Sequence, residues 1–227
     1  MGTAAPSGEH RSHDADRTRR EILAAARAEF AEAGYAGARM DEIAARTRTS
    51  KRMIYYYFGS KEGLFTAILE GAYREIRQQE LLLDADEQDP VEAMRRLAEL
   101  TFDHHEAHPD FVRLVSIENV HRGRHLARSR HLTDLRTPAL AVIERILRRG
   151  RENGQITADV DAIGMHAFIS SFCVFPVANR HTFAALFDCD LLAPVHRDRF
   201  RTMLGDMVVN YLTGTAAQRV QPVVSQA

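Results

Sequence analysis

Basic and aromatic side chains that can contact DNA are concentrated between Ser50 and Lys61. The planar guanidinium of Arg52 can donate two hydrogen bonds to O6 and N7 of guanine, and Met53 can contact the methyl group of thymine. The hydroxyl groups of the neighbouring tyrosines and the ammonium of Lys51 suit phosphate oxygens. These residue types predict a surface that binds DNA, provided that one element presents them together.

Charge is distributed unevenly along the chain, although its 227 residues carry a net charge of only −1. Segment 17–61 has ten basic and five acidic residues, a net charge of +5, whereas segment 62–227 has a net charge of −4. Each Lys or Arg that reaches a phosphate releases a condensed counterion, so a compact basic segment favours DNA binding. A solvated basic surface would have the same charge, and the arrangement of the elements has to decide between the two.

Apolar spacing predicts how these side chains are presented. It indicates one short helix at 40–47 and another around 54–58, joined by residues 48–50. A preceding helix has an apolar face from Ile22 to Phe30 and ends at Gly34, a residue that favours helix termination. Two short helices with a third behind them form a helix-turn-helix, in which the second helix of the pair enters the major groove.

The same part of the chain resembles the tetracycline-repressor (TetR) family of bacterial transcription regulators. The resemblance covers segment 17–69 and is carried by Met40–Ala44 and by the run Ser50–Leu64, SKRMIYYYFGSKEGL. It implies a homodimer that binds a palindromic operator in double-stranded DNA and is released by a small molecule. By position, it implies DNA contacts at Arg39, Met40, Lys51, Arg52, Met53, Tyr55, Tyr56, Tyr57 and Lys61.

Two positions depart from the family pattern. The family usually has a hydroxyl residue where Arg39 stands and a glycine in the turn where Arg48 stands. Arg39 retains the ability to pair with phosphate. A left-handed backbone at Arg48 would cost a non-glycine residue about 1 kcal/mol, so the conformation of this turn stays open at this point.

The remainder of the chain also has helical apolar spacing, and the predicted fold is all-α. It consists of an N-terminal three-helix helix-turn-helix domain that binds DNA and a larger helical domain that binds ligand and dimerises. The predicted boundaries are 1–16 for a disordered extension, 17–63 for the helix-turn-helix domain, 64–214 for the effector-binding and dimerisation domain, and 215–227 for a flexible tail.

Two apolar helices, at about 160–178 and 195–213, are the predicted dimer interface. A helix-turn-helix protein reads two half-sites through the symmetry of its dimer. Completion of the core within one chain is the alternative for the same residues. Close approach of two backbones in the first of these helices is favoured by its small residues Gly164, Ala167, Ser170 and Ser171.

An effector pocket is expected among the middle helices, with apolar walls and a few polar groups. This pattern indicates a mostly apolar effector with one or two hydrogen-bonding groups. The candidate residues are Phe102, His105, Phe111, Leu114, Ile117, Glu118, His121, Phe168 and Phe172.

Two other functions stay open. Glu118, His121 and His125 are spaced to share a helix face if the helix continues past Gly123, and they would suit zinc in a metal-dependent enzyme. No tight Cys and His spacing, nucleophile motif or phosphate loop accompanies them, so no catalysis, metal or cofactor is expected. An architectural DNA binder without an effector is the second alternative, and DNA binding alone does not distinguish repression from activation.

The cellular setting is expected to be the cytoplasm, with no membrane partner. Cys173 and Cys189 provide no disulfide framework, which suits a reducing compartment. The first residues lack the apolar run of a signal peptide. The longest apolar stretch, 162–178, contains His166 and Pro176 and is a poor membrane span.

Overall fold

The computed structural model describes residues 8–81, 83 and 88–214, and within these ranges the backbone forms helices and no strand. This confirms the all-α prediction. The helices are α1 (Gly8–Gly37), α2 (Met40–Arg46), α3 (Lys51–Phe58), α4 (Lys61–Leu81), α5 (Pro90–Ala107), α6 (Pro109–Val120), α7 (Leu132–Glu152), α8 (Ala162–Ala178), α9 (Arg180–Phe187) and α10 (Pro194–Thr213), with a short 3-10 helix at Leu126–Arg128.

The described residues divide into two compact units, and neither is continuous in sequence. The first unit contains the described residues of Met1–Glu75 and His108–Leu135, and the second contains those of Ile76–Ala107 and Arg136–Ala227. The predicted boundary after residue 63 therefore falls within α4, whose first part belongs to the first unit. Helix α6 also belongs to the first unit, although the sequence analysis assigns it to the second domain.

The core of the first unit forms where α1 to α4 bring their apolar faces together. Ile22, Phe30, Ile43 and Ile54 are fully buried, as their helical spacing predicts. Leu114 of α6 completes the same core. The three predicted helices of the helix-turn-helix are thus present and packed against one another.

Gly34 interrupts α1 at the position that the sequence analysis gives for its end. Its φ of 72° and ψ of 173° are not helical, and glycine adopts a positive φ without steric cost. The last residues of α1 follow this break and lead into α2.

The N-terminal extension differs from the prediction of disorder, because residues 8–16 form the first turns of α1. Ion pairs between residues one turn apart favour this helix. Arg17 lies 3.3 Å from Asp14 and 3.8 Å from Glu21 in such pairs. The rest of the predicted extension, 1–7, and the predicted tail, 215–227, lie outside the described residues.

Helix starts occur where capping residues predict them. The Ser60 hydroxyl accepts a hydrogen bond from the Gly63 amide at 3.0 Å at the start of α4. The Asp89 carboxylate accepts from the amides of Val91 and Glu92 at 3.0 and 3.1 Å at the start of α5. Both contacts satisfy amides that have no partner within their own helix.

The second unit has its own apolar core, to which α5, α7, α8 and α10 contribute. Met94, Ile146, Met165 and Leu204 are fully buried in it, one from each of these helices. Ile156, between α7 and α8, is buried in the same core. This core is separate from that of the helix-turn-helix.

Ion pairs join α5 and α10 along the edge of this core. Arg197 contacts Asp103 at 2.6 Å and Glu106 at 2.7 Å, and Arg201 contacts Glu99 at 2.8 Å. These side chains are partly exposed, so each pair contributes less than about 1 kcal/mol. Their network chiefly fixes which faces of the two helices meet.

No single helix in the described ranges is both long and apolar enough to cross a membrane. Only α8 and α9 taken together have the length and apolar composition of a membrane span, and the chain bends by 68° between these two helices. Met165, Ile169 and Cys173 of α8 are buried within the core of the second unit.

Candidate DNA-binding and effector sites

The exposed face of α3 presents the side chains that the sequence analysis assigns to DNA contact. Ile54 is fully buried and fixes the inner face of this helix. On the outer face, 39% of Tyr55 and 78% of Tyr56 are exposed to solvent, and Lys51 and Arg52 are exposed beside them. Because α3 is short and anchored at its centre, these groups form one surface with a fixed orientation.

The connection between α2 and α3 sets the direction of α3. The Ser50 hydroxyl caps α3 by accepting a hydrogen bond from the Met53 amide at 3.2 Å. Arg48, in the preceding turn, has a φ of 52° and is therefore in the left-handed region. The chain thus adopts the conformation that the family's usual glycine would allow, with an arginine in its place.

Lys61 bonds to other residues of the first unit. Its ammonium donates hydrogen bonds to the carbonyl oxygens of Ala36 at 3.3 Å and Ala38 at 2.6 Å. It also lies 5.9 Å from the ring centre of Phe30 and 5.3 Å from that of Tyr35. Burial lowers the pKa of Lys61, opposed by the negative charge of Glu29. This lysine ties the start of α4 to the end of α1 and to the residue that follows it, so the predicted DNA contact has a structural role.

Glu29 is a positioning residue that the sequence analysis missed. Its carboxylate is 6% exposed and accepts a hydrogen bond from the Arg39 amide at 3.1 Å. The other oxygen pairs with Arg46 at 3.1 Å. Glu29 thereby holds both ends of α2 against α1. Its spacing from Ile22 and Ala26 places it on the buried face of α1, and an acidic residue on such a face is the signal that identifies it.

The predicted DNA-contacting residues differ in exposure. Arg39 and Met53 are exposed, in addition to the four residues of the α3 face. Tyr57 is half-buried, and its ring lies 5.5 Å from that of Tyr56 and 6.3 Å from that of Phe58. Met40 is only 7% exposed and belongs to the core of the first unit, so its side chain has a packing role, and its contact with DNA stays a prediction.

The predicted effector residues are divided between the two units. Those on α6 lie in the first unit, where Leu114 is buried in the core and Ile117 packs against it. The Phe111 ring meets the Tyr73 ring edge-on at 5.3 Å, and the His121 ring lies 5.2 Å from that of Tyr35. The members in the first unit are Phe111, Leu114, Ile117, Glu118 and His121, and those in the second are Phe102, His105, Phe168 and Phe172.

Glu118 has a set of partners that accounts for its burial. One carboxylate oxygen accepts hydrogen bonds from the amides of His125 and Leu126 at 2.8 and 3.0 Å, and the other lies 2.5 Å from Nδ1 of His125. Helix α6 ends at Val120, and Gly123, with a φ of 69°, follows in the turn. The carboxylate therefore stabilises the turn after α6.

The helix face proposed for a metal-dependent enzyme is not formed, since the helix does not continue past Gly123. Within the described ranges, no group of three or more His, Cys, Asp and Glu side chains is arranged to hold a metal ion. Glu118 and His125 instead pair with each other, and the His121 ring lies 5.5 Å from the His125 ring at a steep angle. These contacts suit a packed polar cluster.

The four candidates in the second unit occupy two environments. Phe102 is buried in the core, and Nδ1 of buried His105 lies 2.7 Å from the Thr101 carbonyl oxygen. Phe168 and Phe172 line a cavity of about 420 Å³ between α8, α9 and α10. Helix α9, which the apolar spacing does not predict, adds Phe183 to this wall. The lining residues are Phe168, Ser171, Phe172, Phe175, Pro176, Phe183, Leu191 and Phe200.

Comparisons with known proteins agree with this architecture. Residues 22–79 match the family model of bacterial regulatory proteins of the tetR family, and residues 90–208 match that of the tetracyclin repressor-like C-terminal domain. The HTH-type transcriptional repressor NicS of Pseudomonas putida is 36% identical over 202 residues, which cover 89% of this chain and 95% of that protein.

Two further proteins are similar over much of the chain. The HTH-type transcriptional repressor SCO4008 of Streptomyces coelicolor is 35% identical over 151 residues, 66% of this chain and 73% of that protein. The crystal structure of SCO4942 from the same species has a TM-score of 0.62 and 30% identity, and covers 84% of this chain and 97% of that one. The protein belongs to the TetR family of bacterial transcriptional regulators and is a DNA-binding protein, not an enzyme.

Proposed function

We propose that this protein represses transcription by binding as a dimer to a palindromic DNA operator, and that a small, mostly apolar effector releases it. The observation that carries this proposal is the α3 face, which presents Lys51, Arg52, Tyr55 and Tyr56 from a helix anchored by buried Ile54. Repression is supported by NicS and SCO4008, which are both named repressors. Its site of action is the bacterial cytoplasm, where the DNA lies.

The predicted DNA-contacting side chains, on the α3 face and next to it, divide into two roles. Arg52 and Met53 lie near the start of α3, the part of a recognition helix that faces base edges, and we assign sequence reading to them. Lys51, Arg39 and the exposed tyrosine hydroxyls suit phosphate oxygens, which position the protein without reading sequence. Lys61 and Tyr57 support the surface from within the unit, in keeping with their partial burial.

Selection of bound duplexes from a random DNA library tests this function. The expected product has two half-sites related by two-fold symmetry, with centres about one helical turn or a multiple of it apart. Enrichment of a single unrepeated half-site would contradict the dimeric operator. No enrichment over the starting library, with binding that depends only on salt, would favour an architectural DNA binder.

Dimerisation through α8 and α10 is the arrangement that we propose. Ile163, Ala167, Ser171 and Phe175 recur every four residues on the exposed side of α8, which forms a nearly continuous apolar and small-residue stripe. On α10, 52% of Tyr211 is exposed, and its ring lies 6.4 Å from that of Phe168 on α8. An exposed apolar surface of this kind is typical of a subunit interface.

An arginine placed in this stripe tests the interface. Ala167→Arg should convert the dimer to a monomer in sedimentation velocity, because a buried guanidinium without a partner opposes association. Ala141→Arg is the matched control, since Ala141 is an exposed alanine on α7. A dimer that survives Ala167→Arg with unchanged affinity would place the interface elsewhere.

The effector acts by preferring a conformation of the dimer that does not fit the operator. Its effect is limited by the difference between its affinities for the two conformations. Thermal unfolding against a panel of small molecules should identify binders, since a ligand at 100 times its dissociation constant adds about 2.7 kcal/mol to native stability. Each binder is then tested for release of labelled operator, and release by a charged, strongly polar compound alone would contradict the apolar assignment.

A further inference from the structure

The cavity between α8, α9 and α10 has the size and the walls of a small-molecule site. Its volume of about 420 Å³ lies within the range of known ligand pockets, ~300–1,000 Å³. Five of its lining residues are phenylalanines, and none of the described residues that line it is charged. An ionised ligand would lose its hydration there without gaining a partner, which strongly disfavours binding.

Helix α9 contacts both α8 and the segment that follows it beside this cavity. Arg180, at its start, donates to the carboxylate of Asp190 at 2.7 and 3.1 Å, so the two ends of the α9 segment are tied together. The Phe183 ring meets the Phe175 ring of α8 edge-on, with ring centres 5.9 Å apart. Within α9, the tilted Phe187 ring lies 4.6 Å from the Phe183 ring. A flat aromatic ligand can extend these ring contacts in offset or edge-to-face geometry.

Ser171 supplies the polar group of the cavity and determines which hydrogen-bonding group of a ligand can be matched there. Its hydroxyl donates a hydrogen bond to the Phe168 carbonyl oxygen at 2.8 Å. A serine hydroxyl has one proton and two lone pairs, so it remains only as an acceptor for a ligand. A ligand that leaves this hydrogen bond intact therefore brings the donor.

We propose that this cavity binds a neutral aromatic molecule that carries one hydrogen-bond donor, such as a phenol or an indole. Such a molecule would be the effector of the proposed repressor. Its binding to the cavity can be tested alone, and only the release of DNA rests on the proposed function. Ser171 and Phe175 also belong to the α8 stripe assigned to the dimer interface. A ligand in the cavity consequently lies beside that interface, where it can change how two copies pair.

Calorimetric titration of the full-length protein with three naphthalene derivatives tests the proposal. β-Naphthol should bind once per chain with a dissociation constant of about 0.01–1 mM. Its methyl ether, which lacks the donor, should bind about fivefold more weakly. β-Naphthoate, which is ionised, should bind more than about a hundredfold more weakly.

Substitutions at the exposed Ser171 locate the bound molecule without removing core residues. Ser171→Ala should abolish the preference for β-naphthol over its methyl ether, and Ser171→Leu should fill the cavity and weaken both by more than about tenfold. Ala185→Leu, at an exposed α9 position that does not line the cavity, is the matched control and should bind normally. Sedimentation velocity on each variant shows whether the dimer is retained.

The outcomes separate this inference from the proposed function. Absence of saturable β-naphthol binding to the wild-type dimer would overturn the inference. Equal binding of β-naphthoate, or binding unaffected by Ser171→Leu, would also overturn it. Release of labelled operator is measured separately, so β-naphthol binding without release would uphold the site and remove its assignment as the effector site.

Discussion

Replacement of Arg48 by glycine should stabilise the first unit. Arg48 has a φ of 52°, and its side chain is exposed, so the substitution relieves the backbone without removing buried packing. A left-handed conformation costs an L-residue roughly 1–2 kcal/mol, while glycine loses about 0.5–1 kcal/mol more backbone entropy on folding. The net gain in the free energy of unfolding should be about 0.5–1 kcal/mol.

Urea unfolding followed by tyrosine fluorescence measures this gain. The chain has no tryptophan, and of its six tyrosines only Tyr211 lies outside the first unit, so the signal reports mainly on that unit. Ala45→Gly, at an exposed position within α2, is the control and should lose about 1 kcal/mol. A loss of stability in Arg48→Gly comparable to that of Ala45→Gly would refute the reasoning, because it would show that position 48 does not bear left-handed strain.

Three further tests concern buried side chains within each of the two units. Glu29→Ala should lower the free energy of unfolding by about 1.5–3 kcal/mol, and Glu29→Gln by less since an oxygen still accepts; equal losses in urea unfolding would contradict this. Burial raises the pKa of the Cys173 thiol, so in the native protein only Cys189 should react with Ellman's reagent; rapid reaction of both thiols would be the contrary result. Burial, with a contribution from Arg77, lowers the pKa of His166 below the ordinary 6.5. In acid the unfolded chain therefore binds a proton that the folded chain does not. As the pH is lowered below about 6.5, the free energy of unfolding should decrease by up to ~1.4 kcal/mol per pH unit. A His166→Gln variant with the same pH profile would refute His166 as the origin.

The helices of both units follow from local patterns in the sequence. Apolar residues at helical spacing identified the core positions Ile22, Phe30 and Ile54, and capping residues such as Ser60 and Asp89 marked helix starts. These signals are local because a helix closes its hydrogen bonds within one turn. For the same reason the exposed face of α3 could be predicted before its surroundings were known.

The partners of buried polar groups could not be predicted in this way. Glu118 was expected to contact an effector and Lys61 to contact DNA. In the structure Glu118 pairs with His125, and Lys61 donates to two backbone carbonyl oxygens. Glu29 was not identified at all. Such contacts join residues distant in sequence, or depend on the path of a turn, and helical periodicity contains no information about either. The cavity beside α8 was likewise hidden, because the short helix α9 has too few turns to show a clear pattern.

The most direct test of DNA reading by α3 compares two neighbouring residues on two duplexes. Fluorescence anisotropy would measure binding of wild type, Arg52→Ala and Lys51→Ala to the selected operator and to a scrambled duplex. Arg52→Ala should lose about 5–150-fold on the operator and much less on the scrambled duplex, because a bidentate base contact contributes ~1–3 kcal/mol of discrimination. Lys51→Ala should weaken both duplexes alike and reduce the salt slope by about one. Equal losses on both duplexes for Arg52→Ala would contradict the assignment of sequence reading to this face.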